Sequence, residues 1–443
     1  MAWTEIAELV VDPMRGRVYE TGWQSWSPAG TYPVGATSPR PQRDVWQTMA
    51  FRPDRPGPVG GFQSEGLLVV DPGDGGPVHG FCGLSPDRVV PSIRAALTGH
   101  VVRVTSDREL ATWVSPGPIS RAVAGWAEQL GSHLGAGPFR PVPPVWCSWY
   151  CYWRSVTADV VWDNAVDAAR AGIDLGVVQI DDGWQPAIGD WHAPSPRFGD
   201  LARLVGRLRD RDLAVGIWLA PHLVGDDSEL AHEHPDWLLP HVDAGFNWGS
   251  RLRVLDLAHP AARENLGQSL RWLKGLGITY FKLDFLYAGA IPDSRRDPTG
   301  AVADYRDGLT FIRECVGPES TILGCGAPLL PSVGLVDAMR VSPDIMPSWE
   351  PPDGDVSQPG GRAAVLAGRG RQTWHGRLWH NDPDCLLARP GVERRADWAA
   401  HLRAVGGLAS ASDAVRDLDA WGLTVTRELM RPSDPAPASP LDW

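Results

Sequence analysis

From residue 145 onward the chain repeats one unit, a short apolar run followed by a longer amphipathic stretch. Eight runs of strand length can be read: VWCSWY (145–150), GVVQID (176–181), LAVGIWLA (213–220), LRVLDL (252–257), TYFKLDF (279–285), TILGCG (321–326), DAMRVS (337–342) and RLWHND (377–382). Segments with helical character, at 158–171, 200–211, 260–275, 302–316, 360–371 and 395–407, lie between most of them. Thr157 can cap the first helix with its hydroxyl, and Gly172 can end it. Parallel strands must be joined by crossovers, and a strand–helix alternation of this count and length predicts a (β/α)8 TIM barrel. An open doubly wound sheet is the competing architecture, but no GxGxxG follows the first run.

The chain before the Pro-rich junction PFRPVPPV (138–145) has another rhythm. Apolar runs such as LLVV (67–70) and HVVRVTS (100–106) alternate with Gly/Pro turns, and no long helical pattern appears until about Ser120. The expected organisation is a β-domain over 1–140, a barrel over 141–413, and a helix and tail over 414–443.

Composition narrows the function. A net charge of −12 argues against nucleic acid or an anionic membrane surface as partner. Six cysteines, with no CxxC pair and no zinc-type spacing to His, fit free thiols better than a disulfide framework. The N-terminus has no signal-peptide character and no apolar run reaches the ~18 residues of a membrane span, so a cytoplasmic location is the default expectation. The 22 tryptophans fit either a Trp-rich core or stacking on sugar rings. Only two lysines occur, Lys274 and Lys282, among otherwise arginine cations. Each should therefore stand where a compact ammonium is needed.

In a TIM barrel the chemistry sits at the C-terminal ends of the strands. Those positions hold Asp181 and Asp182, Trp218, Lys282 and Asp284, Cys325, Arg340 followed by Asp344, and Asn381, Asp382 and Asp384. No HExxH, phosphate cradle or GxSxG elbow is present, so no metal and no cofactor is expected. A carboxylate-rich pocket with aromatics matches glycoside hydrolysis, which needs one ionised and one protonated carboxyl. Lys282 and Asp284 stand at i and i+2 on one strand face, and the ammonium favours the ionised carboxylate. Taken alone, Asp181 and Asp182 also read as a turn and helix cap, and Ser342-Pro343-Asp344 as a turn.

The segments VVQIDDGWQ, YFKLDF, LGCGAPLLPSVGLVDAMRVSPD and NDPDCLL resemble the glycoside hydrolase family 36 α-galactosidases, from about Val145 to Asp413. TGWQSWSPAG (21–30) resembles that family's N-terminal β-sandwich, which lends a loop to the active site. The resemblance implies a retaining, exo-acting α-galactosidase with a covalent glycosyl-enzyme and carboxyl groups ~5–5.5 Å apart. It implies Asp284 as nucleophile and Asp344 as acid/base. It further implies Asp181, Asp182, Lys282 and Arg340 on sugar hydroxyls, the last two also lowering the nucleophile's pKa, with Trp218, Cys325 and Trp26 lining the pocket. Trp23 competes with Trp26 for that place, and Trp149 and Tyr152 read equally as core or sugar platform. The implied partner is a small oligosaccharide ending in α-galactose, and a homo-oligomer fits the family habit. The C-terminal antiparallel β-domain that the family carries is expected to be absent. A transglycosylase, an α-N-acetylgalactosaminidase and a non-catalytic carbohydrate-binding relative share the same scaffold and remain alternatives.

Overall fold

The computed structural model describes residues 3–40, 49–52, 54–293, 300–431 and 437. Strands β1 (Thr4–Val10), β2 (Arg17–Thr21), β3 (Ala29–Pro33), β4 (Phe62–Glu65), β5 (Leu67–Asp71), β6 (Val78–Gly83), β7 (Ser92–Thr98), β8 (Val101–Ser106) and β9 (Leu110–Ser115) come first. They form two antiparallel sheets, ordered β1-β8-β7-β4 and β3-β2-β5-β6-β9. Val18, Leu68 and Phe81 of one sheet share a buried cluster with Phe62, Ile93 and Val104 of the other, which makes a sandwich. The second sheet is covered on its outer face too. There Tyr19, Leu67 and Val69 join the main core beside Val123 and Trp126 of helix Ile119–His133. Burial on both faces explains why Leu67–Val70 is an unbroken apolar run.

The second body is a ring of parallel strands: β10 (Val145–Cys147), β11 (Val177–Ile180), β12 (Ala214–Leu219), β16 (Ile278–Leu283), β17 (Thr321–Gly324), β18 (Ala338–Arg340), β19 (His380–Asp382) and β20 (Ser410–Ala411). β20 pairs with β10, and the N–H of Leu408 reaches the carbonyl of Asn381 at 2.8 Å, which brings the last strand beside β19. Helices at Ala158–Arg170, Leu201–Arg209, Pro260–Leu276, Ala301–Val316, Gly361–Gly370 and Arg395–Val405 stand where the periodicity puts them. Thr157 caps the first by accepting from Val160 N–H at 3.4 Å, and Gly172 after it takes φ 65°.

Two strand expectations are corrected. The run 252–257 is not a barrel strand. Its core is β15 (Ser250–Val254), which pairs antiparallel with β13 (Leu223–Gly225) and β14 (Phe246–Asn247) in a flap, while β12 bonds directly to β16. Alternation of buried and exposed residues marks β15 as such a ribbon, with Arg251 and Arg253 facing outward. The strand missing from the sequence reading is β20, only two small residues long.

Candidate active site

The C-terminal ends of the barrel strands open into a cavity of about 500 Å³. Its wall includes Asp181, Asp182, Trp218, Lys282, Asp284 and Asp344, with Trp26 brought in by the loop between β2 and β3. Tight local geometry supports this. In the DDGW turn Gly183 takes φ 112°, and a Cβ there would lie 2.8 Å from the Arg154 backbone. Gly326 takes φ 51°, and a Cβ there would come within 2.9 Å of the Trp26 ring. The Trp26 loop thus lies directly on the exit of β17, held by Ser25 N–H to Ala327 O (3.1 Å) and Leu329 N–H to Trp23 O (3.1 Å).

Asp284 follows β16 and is 7% exposed. Its Oδ2 accepts from the Trp218 indole N–H at 3.0 Å, and its Oδ1 accepts from the Phe285 N–H at 2.8 Å. Burial pushes its pKa above the usual aspartate value, against the pull of Lys282, while Asp344 adds to the rise. Lys282 pulls this carboxyl's pKa down as expected, Arg340 is not among the main influences, and desolvation outweighs the pull, so the net shift is upward. Lys282 spends its closest contact elsewhere, with Nζ 2.9 Å from Asp181 Oδ2.

Asp181 and Asp182 are both 1% exposed and are held from several sides. Asp181 Oδ2 also accepts from Gln179 Nε2 (2.6 Å) and the Cys147 thiol (3.3 Å). Asp182 accepts from Gln185 Nε2 and from the Trp248 indole N–H, each at 2.7 Å. Burial raises the Asp182 pKa. Such fixed, desolvated carboxylates are oriented before any ligand arrives.

Arg340 and Cys325 stand behind the cavity wall rather than on it, unlike their expected direct contact with sugar. The Arg340 guanidinium is taken up by Asp344 Oδ1 (2.9 Å), Asp382 Oδ2 (3.0 Å) and Asp384 Oδ1 (2.9 Å). Burial opposes its charge, but Asp382 and Asp384 drive its pKa further up. Burial, followed by the nearby Asp284 charge, holds the Cys325 thiol well above its usual pKa, and the thiol stands close to Asp284. Both residues act on the cavity through a carboxylate. Asp382 and Asp384 belong to this clamp, and Tyr150 OH donates to Asp384. Burial outweighs Arg340 and lifts the Asp384 pKa to about 6.

Trp23 is a core residue under Arg52, so Trp26 is the loop's contribution to the cavity. Trp149 lines the wall, whereas the Tyr152 hydroxyl binds Asn164. His375 accepts from Asn381 N–H, and His380 meets the Arg140 carbonyl at the start of β19, both off the cavity. The cavity residues not expected from the sequence include Trp248 and Asn247 on the flap, Trp153 and Arg154 beyond β10, and Gln358 after β18. FNWGS (246–250), an aromatic turn ending in Gly249 at φ 79°, was the available signal for the flap. Among the described residues no group of three His, Cys, Asp or Glu is arranged to hold a metal ion, and no helix is long and apolar enough to cross a membrane.

Both lysines serve as point donors. Lys274 Nζ binds the Val316 carbonyl at 2.5 Å, Ser320 Oγ at 3.1 Å and the Glu319 carboxylate, closing the end of helix Ala301–Val316. Lys282→Arg should leave the fold intact and lower kcat/KM at least tenfold, about 1.4 kcal/mol, because a planar fork does not fit beside Asp181. Steady-state kinetics with a chromogenic galactoside, the substrate class that the sequence resemblance implies, check this, and a near-wild-type value would show that only the charge matters.

Residues 139–297 match the family model described as Melibiase. The bifunctional alpha-galactosidase/sucrose kinase AgaSK of Mediterraneibacter gnavus is 35% identical over 100 residues, which is 21% of this chain and 10% of the relative. Alpha-galactosidase 1 of Pediococcus pentosaceus is 30% identical over 145 residues, 29% of this chain and 20% of the relative. The matched segments thus span a fifth or less of these curated relatives. Coverage is far higher in structure. TtGalA, the alpha-galactosidase from Thermus thermophilus, in complex with p-nitrophenyl α-D-galactopyranoside, superposes with a TM-score of 0.79 at 28% identity, over 97% of this chain and 89% of that one. The same protein in complex with stachyose gives 0.77 at 29% identity, over 96% and 93%.

Proposed function

Because the chain belongs to the melibiase-like α-galactosidases of glycoside hydrolase family 36, we propose that it is a retaining, exo-acting α-galactosidase. The observation that carries this reading is the single cavity faced by both Asp284 and Asp344, with Asp181, Asp182 and Lys282 fixed beside them. Similarity to a protein solved with two α-galactosides supplies the substrate class.

In this reading the Asp284 carboxylate attacks the anomeric carbon while Asp344 gives its proton to the glycosidic oxygen. The C–O bond to the leaving group breaks, and galactose is held as an ester on Asp284. Asp344, now ionised, takes a proton from water. The water oxygen bonds to the anomeric carbon as the ester C–O bond breaks, which releases α-galactose and restores both carboxyls. Arg340 holds Asp344 at the cavity edge. The Trp218 indole keeps Oδ2 of Asp284 in place. Among the described residues Trp26 Nε1 is a buried N–H with no hydrogen-bond partner, and it is available to a sugar hydroxyl.

Trp149, Trp153 and Gln358 also line the cavity of about 500 Å³, surfaces suited to the remainder of an oligosaccharide. No observation favours a sugar acceptor over water in the second step, so hydrolysis stands. The test is turnover of p-nitrophenyl α-galactoside followed by proton NMR of the first-formed sugar. α-Galactose should appear first and mutarotate later. β-Galactose appearing first would refute retention, and tight galactose binding without turnover would favour a carbohydrate-binding role.

A further inference from the structure

Arg371 lies between helix Gly361–Gly370 and β19, and it is fully buried. Among the described residues no carboxylate pairs with it. Its guanidinium instead donates to backbone carbonyls: Nη1 to Ser25 O (2.9 Å) and Val341 O (2.8 Å), Nη2 to Ser27 O (2.7 Å) and Gln24 O (3.4 Å). Nε adds Thr21 Oγ1 at 3.4 Å. Burial draws its pKa down to about 10, partly offset by Tyr19 and Tyr32, so the group is still a cation at neutral pH. A buried charge without a counter-ion is costly, and only a converging set of carbonyl dipoles makes it tolerable.

The identity of those carbonyls gives the arrangement its meaning. Three belong to residues on either side of Trp26, in the loop that the β-sandwich extends into the cavity. The fourth belongs to Val341, three residues before Asp344. Trp26 has its own N–H fixed by Gln24 Oε1 at 2.6 Å, so loop and ring move together. The opposite end of Arg371 is anchored as well, since Asn381 Nδ2 donates to its carbonyl at 2.9 Å. One planar fork therefore spans the sandwich loop and the β18 exit, a geometry that a single ammonium cannot reproduce.

We propose that Arg371 is a positioning residue that fixes the Trp26 loop of the sandwich in register with the Asp344 segment of the barrel, and thereby sets affinity for the galactosyl group. The proposal rests on the α-galactosidase reading for its kinetic readout.

The test is a double-variant cycle of Arg371→Lys and Trp26→Phe on p-nitrophenyl α-galactoside, below the melting temperature of every variant. Arg371→Lys should raise KM at least tenfold while kcat stays within threefold. The double variant should be no more than twofold worse than the poorer single one. A KM within twofold of wild type, or effects that simply multiply, would overturn the proposal. If Arg371→Lys does not fold, Thr21→Val enters the same cycle, with a threefold rise in KM as the threshold. Absence of turnover in the wild type would defeat the α-galactosidase reading instead. Amide hydrogen exchange then decides: segments 21–28 and 341–344 should exchange at least tenfold faster in the variant with the remainder unchanged, and no local difference would overturn the proposal.

Discussion

Asp284→Ala is expected to lower kcat on p-nitrophenyl α-galactoside by about 10⁴-fold or more, the scale seen when a nucleophile that works as part of a unit is removed. The melting temperature should stay level or rise. The two outcomes have one cause. Burial already holds the Asp284 pKa above the usual aspartate value, so the folded protein carries a poorly solvated carboxylate in the service of chemistry. Removing it leaves the Trp218 indole N–H and the Phe285 N–H short of an acceptor, a cost of about 1–3 kcal/mol if water cannot enter. The cavity beside them is roomy enough for water to do so. Relief of the desolvation cost acts in the opposite direction. Azide should restore turnover in this variant by occupying the vacated face, and the product should be β-galactosyl azide. In the wild type the acid limb of kcat/KM should fall above the ordinary aspartate pKa. The nucleophile must be ionised, and its pKa in the folded state is raised. A variant that keeps a tenth of the wild-type rate would remove Asp284 from its role.

How much of this was legible in the chain differs residue by residue. Parallel barrel strands buried on both faces leave continuous apolar runs, so β11, β12 and β16 were readable with their polar end residues attached. Asp181, Asp182, Lys282 and Asp284 fall on the cavity for that reason. The alternation in Ser250–Val254 is equally visible, but the apolar run at 252–257 stands where a barrel needs its fourth strand and so reads as one. The true last strand, Ser410–Ala411, is set by hydrogen bonds to Val145 and Trp146 and has no local preference strong enough to announce it. Site residues delivered by strand ends were found, while those delivered by tertiary approach were not. Trp248 reaches Asp182 only because the flap folds over, and Arg340 leaves the cavity wall only because Asp344, Asp382 and Asp384 converge on it. The balance of effects on Asp284 is hidden from the sequence for a similar reason. Sequence spacing showed the nearby ammonium but gave no measure of desolvation, which is the larger influence.

Asp344→Ala should separate substrates by their leaving groups. A sugar leaving group needs a proton as the glycosidic bond breaks, so turnover of stachyose or raffinose should fall by roughly 10²–10⁴-fold, the usual contribution of a positioned acid. p-Nitrophenolate leaves without that help. For p-nitrophenyl α-galactoside the first step should therefore survive, while the second loses the base that activates water. The galactosyl ester on Asp284 should accumulate, with a burst of nitrophenolate followed by a slow steady rate and a lowered KM. Azide needs no general base and attacks the ester from the face that water would use, so it should accelerate the steady rate and yield α-galactosyl azide, the opposite anomer to that from Asp284→Ala. The fold should tolerate the change. Asp344 is the most exposed carboxylate of the Arg340 clamp, its side chain 29% accessible, and Arg340 keeps its bonds to Asp382 and Asp384. If both substrates slowed equally, with no burst and no response to azide, Asp344 would be a structural partner of Arg340, and the proton would have to come from another group facing the cavity.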